Sequence, residues 1–451
     1  MELSLREALR VSNSPCIAFT GAGGKTTAMF QLARQLPPPV IVTATTHLGT
    51  WQVELADKHI ITSSSAPLKG LGADKDLTLI TGVIDGDRTK PVSADILDGI
   101  RQFCKSHSIP LLIEADGSRQ KPMKAWAEHE PPIPDFVDEV VHVAGLSGLG
   151  KPLNEENVHR PEIFSKLSGL DFGELVTQDA LIKVATHPEG GLKNIPTNAR
   201  KVIVLNQADT LELQSIAHGM SHTLLSSFHS VIVASLKQEK VFAVHEPIAG
   251  IILAAGESSR FGQPKQLLDW KGEPFVRTVA RMALTAGLSP VIVVTGANAE
   301  QVETAISDLN VTIVRNNEWK SGQGSSIKNG ILTLTPASTA APPPLSAIAG
   351  AAIFLLADQP QVTSSIVRAL VEKHAEGLYT IVAPMVIDRR ANPVLFDSST
   401  FPDLLTLEGD VGGRAIFHKY RVEYLPWHDD SLLLDVDTPE HYQRLISNGD
   451  M

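Results

Sequence analysis

Cysteine is scarce in this chain. Cys16 and Cys104 are the only two in 451 residues, too few for a disulfide framework and outside any metal-ligand spacing, so both read as core thiols. No apolar run approaches the ~20 residues that a membrane-spanning helix requires. The opening MELSLREALRVSNSP has none of the basic-then-apolar layout of a signal peptide, which makes the cytoplasm the expected address. Positive charge is in deficit too. A net charge of −11 argues against a nucleic-acid partner, since such proteins carry a basic surplus over one face. Any anionic ligand must therefore be met by local cations. What is present, 43% hydrophobic and 20% charged residues, describes a soluble globular chain. Its length exceeds the roughly 250–300 residues at which a single core stops growing, which predicts two or more domains.

Short Val-, Ile- and Leu-rich runs alternate with helix-like stretches throughout: CIAFTG, VIVTAT, LLIEAD, VVHVAG and KVIVLN, then IAGIILAA, PVIVVTG, VTIVRN, AAIFLLAD, TIVAPM and LLLDVD. Continuous apolar strands separated by helices predict parallel sheets covered on both faces. Two glycine-loop signals, Thr20 to Thr27 and Leu253 to Lys265, each follow the first strand of such a series. That repetition predicts two α/β domains in tandem, joined near Ser235 to Pro247, where polarity rises. The Pro-, Ala- and Ser-rich stretch Leu334 to Gly350 predicts an exposed loop.

IILAAGESSRFGQPKQLL, Ile251 to Leu268, joins an apolar strand to a loop carrying Arg260 and Lys265. Small residues at Ala254, Ala255 and Gly256 let main-chain N–H groups approach a triphosphate, and the two cations can neutralise it. Downstream, Asp358 follows the strand AAIFLLA, and Asp437 follows LLLDV, expected to be the last strand. Ligands gather at the carboxyl ends of strands in open parallel sheets. Both carboxylates can therefore face the loop and hold Mg²⁺, a hard cation served by one or two carboxylates plus phosphate oxygens. Taken singly, each Asp reads equally well as a turn or cap residue.

LAAGESSRFGQPK resembles the LAAGxSxRxGxxK opening of the MobA-like nucleotidyltransferases, and SGQGSSIKNGI, LLADQP, LTLEGDVGGR and DVDTPE resemble, in order, later motifs of the molybdenum cofactor cytidylyltransferase branch. The resemblance covers essentially Ile248 to Met451. It implies that Arg260 and Lys265 grip the triphosphate, that Asp358 acts with them and holds Mg²⁺ together with Asp437, and that Leu253, Ala254, Ala255, Gly256, Gly322, Ser325 and Ser326 line the nucleotide cleft. Ala255, where guanylyl-transferring members have Gly, points to CTP, one extra methyl being worth about 1–3 kcal/mol of discrimination. Gln323-Gly324 and Ala391-Asn392-Pro393 depart from the family's usual Met-Ser and Gly-His-Pro. Asn392, Asp410 and Arg414 are candidate contacts to the acceptor, molybdopterin cofactor, although Asp410 and Arg414 read equally well as an ion pair within their loop.

AFTGAGGKTTAMFQLARQL in the N-terminal half has the layout of a Walker A loop, with Phe19 where its first Gly belongs. Gly21, Gly23 and Gly24 can turn N–H groups toward phosphates, Lys25 can neutralise them and Thr26 can ligate Mg²⁺. LLIEADGS adds Glu114 and Asp116 as Walker B-like acids. VLNQADT resembles the N-K-x-D base-reading motif of GTPases through Asn206 and Asp209, with Gln207 replacing the Lys; a turn after a buried strand is the competing reading. His47, His142 and His159 are too scattered for a metal site, and Arg119 and Lys121 read as phosphate contacts or as a solvated turn.

GAGGKTT, TATTHLG, EADGSRQKPMKA, VAGLSGLGKPLNEENVHRPE and LNQAD together resemble the YqeC-like, selenium-dependent molybdenum hydroxylase accessory family over roughly Ser4 to Ala234. The two resemblances imply an α/β chain of two tandem three-layer domains: a P-loop-like NTPase fold over residues 1–240 and a Rossmann-like nucleotidyltransferase fold over residues 248–451. They further imply a cytidylyltransferase with Mg²⁺ and CTP, a second nucleotide, GTP or ATP, at the N-terminal site, and a molybdenum hydroxylase of the xanthine dehydrogenase type, or its chaperone, as partner. A non-catalytic cofactor carrier, and a transferase acting on a sugar or polyol phosphate, are the alternatives.

Overall fold

Val40–Ala44 and Leu77–Thr81 are buried at every position, as strands covered on both faces must be. The computed structural model describes residues 2–63, 76–258, 261–334 and 349–449, and the chain divides into two units, Met1–His245 and Glu246–Met451. The stretch Leu334 to Gly350 lies almost wholly outside the described residues.

In the N-terminal unit the strands are Cys16–Gly21 (β1), Val40–Ala44 (β2), Lys58–Ile61 (β3), Leu77–Thr81 (β4), Leu111–Glu114 (β5), Glu139–Gly145 (β6), Arg200–Asn206 (β7), Ser230–Ser235 (β8) and Lys240–His245 (β9). They form one sheet in the order β9-β8-β7-β6-β1-β5-β2-β4-β3, with every pairing parallel except β8 with β9. Because β1 lies between β5 and β6, the chain leaves it in both directions. That arrangement opens a crevice at its carboxyl end. Helix Lys25–Gln35 (α1) starts there, directly after Gly24, and buries Ala28, Met29, Leu32 and Ala33. Ala94–His107 (α2) buries Ile96, Leu97, Ile100 and Cys104, a helical spacing that turns one stripe to the sheet.

The C-terminal unit contributes Ile248–Ala254 (β10), Val291–Thr295 (β11), Thr312–Arg315 (β12), Ala351–Leu356 (β13), Ile381–Val386 (β14), Val394–Asp397 (β15) and Val422–Pro426 (β16). Their order is β12-β11-β10-β13-β15-β14, and both the short Arg389–Arg390 strand and β16 pair with β14. Strand β15 runs antiparallel to β13 and to β14. Two apolar clusters cover the sheet, one built on Val276, Val279, Ala280 and Ala283 of helix Phe275–Thr285 (α3) and the other on Ile327 and Ile331 of Gln323–Leu334 (α4).

Two expectations need correction. Neither sheet is purely parallel, since β9 and β15 reverse. The boundary between the units, His245/Glu246, falls within the stretch Ser235 to Pro247, much of which is strand β9, paired with β8 around a bulge between Val233 and Ala234. LLLDVD forms no strand: Asp430–Leu433 is a 3₁₀ turn and Leu434 to Asp437 is irregular. Side chains hold that backbone instead, the Gln361 amide donating to the carbonyls of Ser431 (3.2 Å) and Leu434 (2.8 Å). Of the two cysteines, Cys104 is buried and Cys16 half-buried; burial pushes both thiols up to about 12.

Candidate active site and a second ionic centre

Strands β10 and β13 pair in parallel and end together, so Leu253, Ala254, Ala255 and Gly256 emerge beside Asp358. Their first residues stay joined, the Ala357 N–H donating to Leu253 O at 3.2 Å. The loop then folds back on buried Gln266, whose amide donates to the Gly256 carbonyl at 2.7 Å, while the Lys265 N–H donates to Ser258 Oγ at 3.0 Å. Those bonds aim the Lys265 side chain. Its ammonium lies 3.1 Å from Asp358 Oδ2 and 3.0 Å from Asp437 Oδ1. Burial disfavours its charge, but Asp358 and Asp437 outweigh that and raise its pKa above the ordinary lysine value. Asp437 is kept in place from the β13 side: Gln359 Nε2 donates to Asp435 Oδ1 at 2.8 Å, next to the two Gln361 bonds.

Lys265, Asp358 and Asp437 are thus brought together, while Arg260 lies outside the described residues. Among the described residues no group of three or more His, Cys, Asp and Glu side chains could hold a metal. Two carboxylates facing one cationic point nevertheless fit Mg²⁺, which takes its remaining oxygens from phosphate and water. The Lys265 ammonium marks that point.

The second loop converges on the same end of the sheet through a residue that no motif flagged. Asn316, just after β12, donates to Ser325 Oγ (2.8 Å) and Ser326 Oγ (3.0 Å) at the start of α4. Gly322 has φ +107, and a Cβ there would lie 2.3 Å from the Gly409 backbone. Only glycine allows that approach. The Gly324 N–H donates to Gly409 O at 3.1 Å, so the second loop and the EGD segment are one construction. Asp410 and Arg414 are exposed and, among the described residues, form no ion pair with each other. Half-buried Asn392 precedes Val394, which pairs with Phe354, and so stands at the Asp358 end of β13. The Ala255 methyl is buried against Gly296, where an added Cβ would meet it at 2.7 Å.

In the N-terminal unit the carboxyl ends of β1, β2 and β5 and the start of α1 border a cavity of about 1030 Å³. Beneath it runs a chain of alternating charge. Lys25 Nζ lies 3.1 Å from Asp116 Oδ1; Lys124 Nζ lies 3.0 Å from Asp116 Oδ2 and 3.3 Å from Glu130; Glu130 meets Arg160 at 2.5 Å. Met123–Lys124 pairs in parallel with Val158–His159, which makes Lys124 and Arg160 neighbours. Burial opposes ionisation of Asp116, yet Lys124, Lys25 and the Gly21 N–H outweigh it and hold its carboxyl at about 2. Glu114, dominated by burial, is instead raised above its ordinary value and accepts from Thr26 Oγ1 at 2.9 Å.

Two assignments change here. Asp116 does not fit as a metal ligand, because Oδ2 already accepts from Lys124, the Trp126 indole N–H (2.6 Å) and the Gly21 N–H (3.0 Å), and Oδ1 faces the Lys25 ammonium at 3.1 Å, so two fixed cations stand where a metal would bind. Asn206 does not face a base: it is buried, donates to Gly23 O at 2.7 Å and accepts from the Leu236 N–H at 2.9 Å, bracing the glycine loop. Asp209 is exposed and accepts from Ser235 Oγ at 2.5 Å. Thr26 and Glu114 remain a fitting pair for a divalent ion beside phosphate. His142 is buried against Trp126 and Phe228, a packing role. His47, Arg119, Lys121 and His159 line the cavity, and Arg119 and the neighbouring Gln120 both have left-handed backbone (φ 50 and 60).

Residues 17–162 match the family described as YqeC protein, and residues 250–424 match the MobA-like NTP transferase domain. The uncharacterized protein YqeC of Escherichia coli (strain K12) is 31% identical over 203 residues, 44% of this chain and 77% of that protein. Nicotine blue oxidoreductase of Paenarthrobacter nicotinovorans is 32% identical over 208 residues, 44% of this chain and 96% of that protein. The probable molybdenum cofactor guanylyltransferase of Bacillus cereus (strain Q1) is 41% identical over 59 residues, 13% of this chain and 29% of that protein.

Proposed function

This chain belongs to the YqeC family through its N-terminal unit and to the MobA-like NTP transferases through its C-terminal unit, and from that premise we propose that it transfers CMP from CTP to molybdopterin cofactor. The meeting of Lys265 with Asp358 and Asp437 carries this reading. A phosphate oxygen of the acceptor attacks the α-phosphorus of CTP, the bond to the β-phosphate bridging oxygen breaks, and pyrophosphate leaves with the electron pair. Lys265 neutralises charge gathering on the departing group, and the main chain of Leu253 to Gly256 cradles the phosphates. Asp358 and Asp437 would hold Mg²⁺, which supplies charge neutralisation between the two anionic reactants. Arg260 is proposed as the second triphosphate cation.

The choice of CTP rests on Ala255, which stands where the guanylyl-transferring motif has Gly and whose buried methyl packs against Gly296. Ser325 and Ser326 line the cleft, and Asn392, Asp410 and Arg414 are the acceptor-side groups. The molybdenum assignment draws on the family likeness and on the guanylyltransferase relative. Labelled CTP, GTP or ATP, incubated with the chain, Mg²⁺ and molybdenum cofactor, tests it. Pyrophosphate release with CTP and cofactor is expected, and its absence rejects the reading. The relative named nicotine blue oxidoreductase gives a second reading, electron transfer from a nicotinamide donor to nicotine blue, which is tested by NADH or NADPH oxidation that depends on added nicotine blue as the acceptor.

The N-terminal unit is proposed as a nucleotide-binding domain of molybdoenzyme maturation, with a P-loop-like site at Gly21 to Thr26. Bound phosphate would compete with Asp116 for Lys25. A molybdenum hydroxylase, or its chaperone, is the proposed recipient of the product.

A further inference from the structure

Trp51 lines the N-terminal cavity yet is 53% exposed. Its indole lies over Gly49, where a Cβ would come within 2.5 Å of Nε1 and 2.8 Å of Cδ1, so any larger residue at 49 would displace the ring. The next residue ties this wall to the phosphate loop: Gln52 Nε2 donates to Thr26 Oγ1 at 2.9 Å. Gln52 is only 6% exposed, and its Oε1 has no hydrogen-bond partner among the described residues. The hydroxyls of Thr45 and Thr46, on the same wall, are unpartnered in the same way. Buried polar atoms are normally paired. Gln52, Thr45 and Thr46 all line the cavity, so its wall between the phosphate loop and the open indole carries three oxygens whose hydrogen-bonding capacity is unused.

We propose that this cavity takes a phosphate-bearing planar heterocycle, its phosphates at Gly24 to Thr26, its sugar or linker hydroxyls at Gln52, Thr45 and Thr46, and its ring stacked on Trp51. The inference rests on the phosphate-loop reading above and places the ring away from Asn206, which is already committed to Gly23 and Leu236. Arg88, Arg119 and Lys121 at the border suit an anion. A volume of about 1030 Å³ accommodates either a nucleoside triphosphate or a phosphorylated pterin, two sources of the same chemistry.

Calorimetric titration of the full chain separates the steps, with Lys265→Ala included to disable the C-terminal grip. The probes are ATP, GTP, CTP, a phosphorylated pterin and inorganic tripolyphosphate. Trp51→Ala is expected to weaken the preferred ring-bearing ligand by about 5- to 140-fold, the range for loss of one aromatic stack, with tripolyphosphate affinity unchanged. Trp51→Phe should restore most of the loss. The preferred probe identifies the source. Failure of tripolyphosphate to bind would sink the phosphate-loop reading and this inference with it. If tripolyphosphate binds while Trp51→Ala leaves every ring-bearing ligand unaffected, or weakens tripolyphosphate equally, the inference alone is overturned.

Discussion

Lys124 donates to Asp116 across 3.0 Å in a part of the N-terminal unit that water does not reach. Asp116 is fully buried and Lys25 meets its other oxygen, so two cations share one carboxylate, Lys124 having Glu130 as a second acidic partner. Asp116→Asn should therefore cost the N-terminal unit roughly 3–5 kcal/mol, the usual effect of stranding a buried charge. Denaturant unfolding measures this. The sign with pH follows from a folded-state value of about 2 against about 4 when unfolded. Stability from Asp116 is present above about pH 4 and is lost as pH falls through 2. Loss of that acid transition in the Asn variant is the expected signature.

Acid should reach this unit earlier through its histidines. Burial holds His142 and His245 down at about 4, so both are neutral when folded and protonate first in the unfolded chain. Their contribution is intact above about pH 6.5 and declines as pH drops toward 4. Scanning calorimetry between pH 7.5 and 4.5 should show the N-terminal transition falling across that window. A transition indifferent to pH there would contradict it.

In the transferase site, Lys265→Ala should lower kcat/KM for pyrophosphate release by about 10²- to 10³-fold, the scale seen when one electrostatic stabiliser is removed. Asp358→Asn should act similarly and raise the Mg²⁺ concentration needed for half-maximal rate. Steady-state kinetics with Mg²⁺ varied checks both.

Gly322→Ala tests the joint between the second loop and the EGD segment. A Cβ 2.3 Å from Gly409, on a backbone with φ +107, must push the two loops apart. Displacement of about 1 Å near a reacting centre can cost on the order of 10²-fold in rate. Activity should fall while circular dichroism stays native.

His374 Nε2 meets Asp397 Oδ2 at 2.8 Å, both side chains buried, joining helix Ser364–Gly377 (α5) to the end of β15. His374→Ala removes one partner only and should destabilise the C-terminal unit by roughly 3–5 kcal/mol. Unfolding of that unit in urea, with and without the substitution, provides the measurement.

Much of this was legible because the relevant signals are contiguous. LAAGESSRFGQPK, LLADQP and DVDTPE each span a strand end or loop, and the family they point to needs no knowledge of long-range contacts. Continuous apolar runs marked most strands for the same reason. What escaped depends on pairing across sequence. KVFAVH escaped as a strand, although the boundary between the units does fall at its end, because only its partner β8 makes it one, and LLLDVD read as a strand because the Gln361 side chain, 70 residues and more upstream, takes its backbone bonds. Asn206 and Asp116 carry motif-like spacing, but their partners, Gly23, Lys124 and Trp126, are set by tertiary packing. Asn316 and Trp51 lie outside any phrase that stands out locally, and Gln266 sits inside one without a motif position of its own.

The contact between Lys265 and Asp437 spans 172 positions. At a synthesis rate of about 5–20 residues per second, the basic side chain leaves the ribosome roughly ten to thirty seconds before its acidic partner exists. During that interval the nascent polypeptide has Lys265 without Asp437, so on the function proposed above the site is complete only once translation has passed position 437.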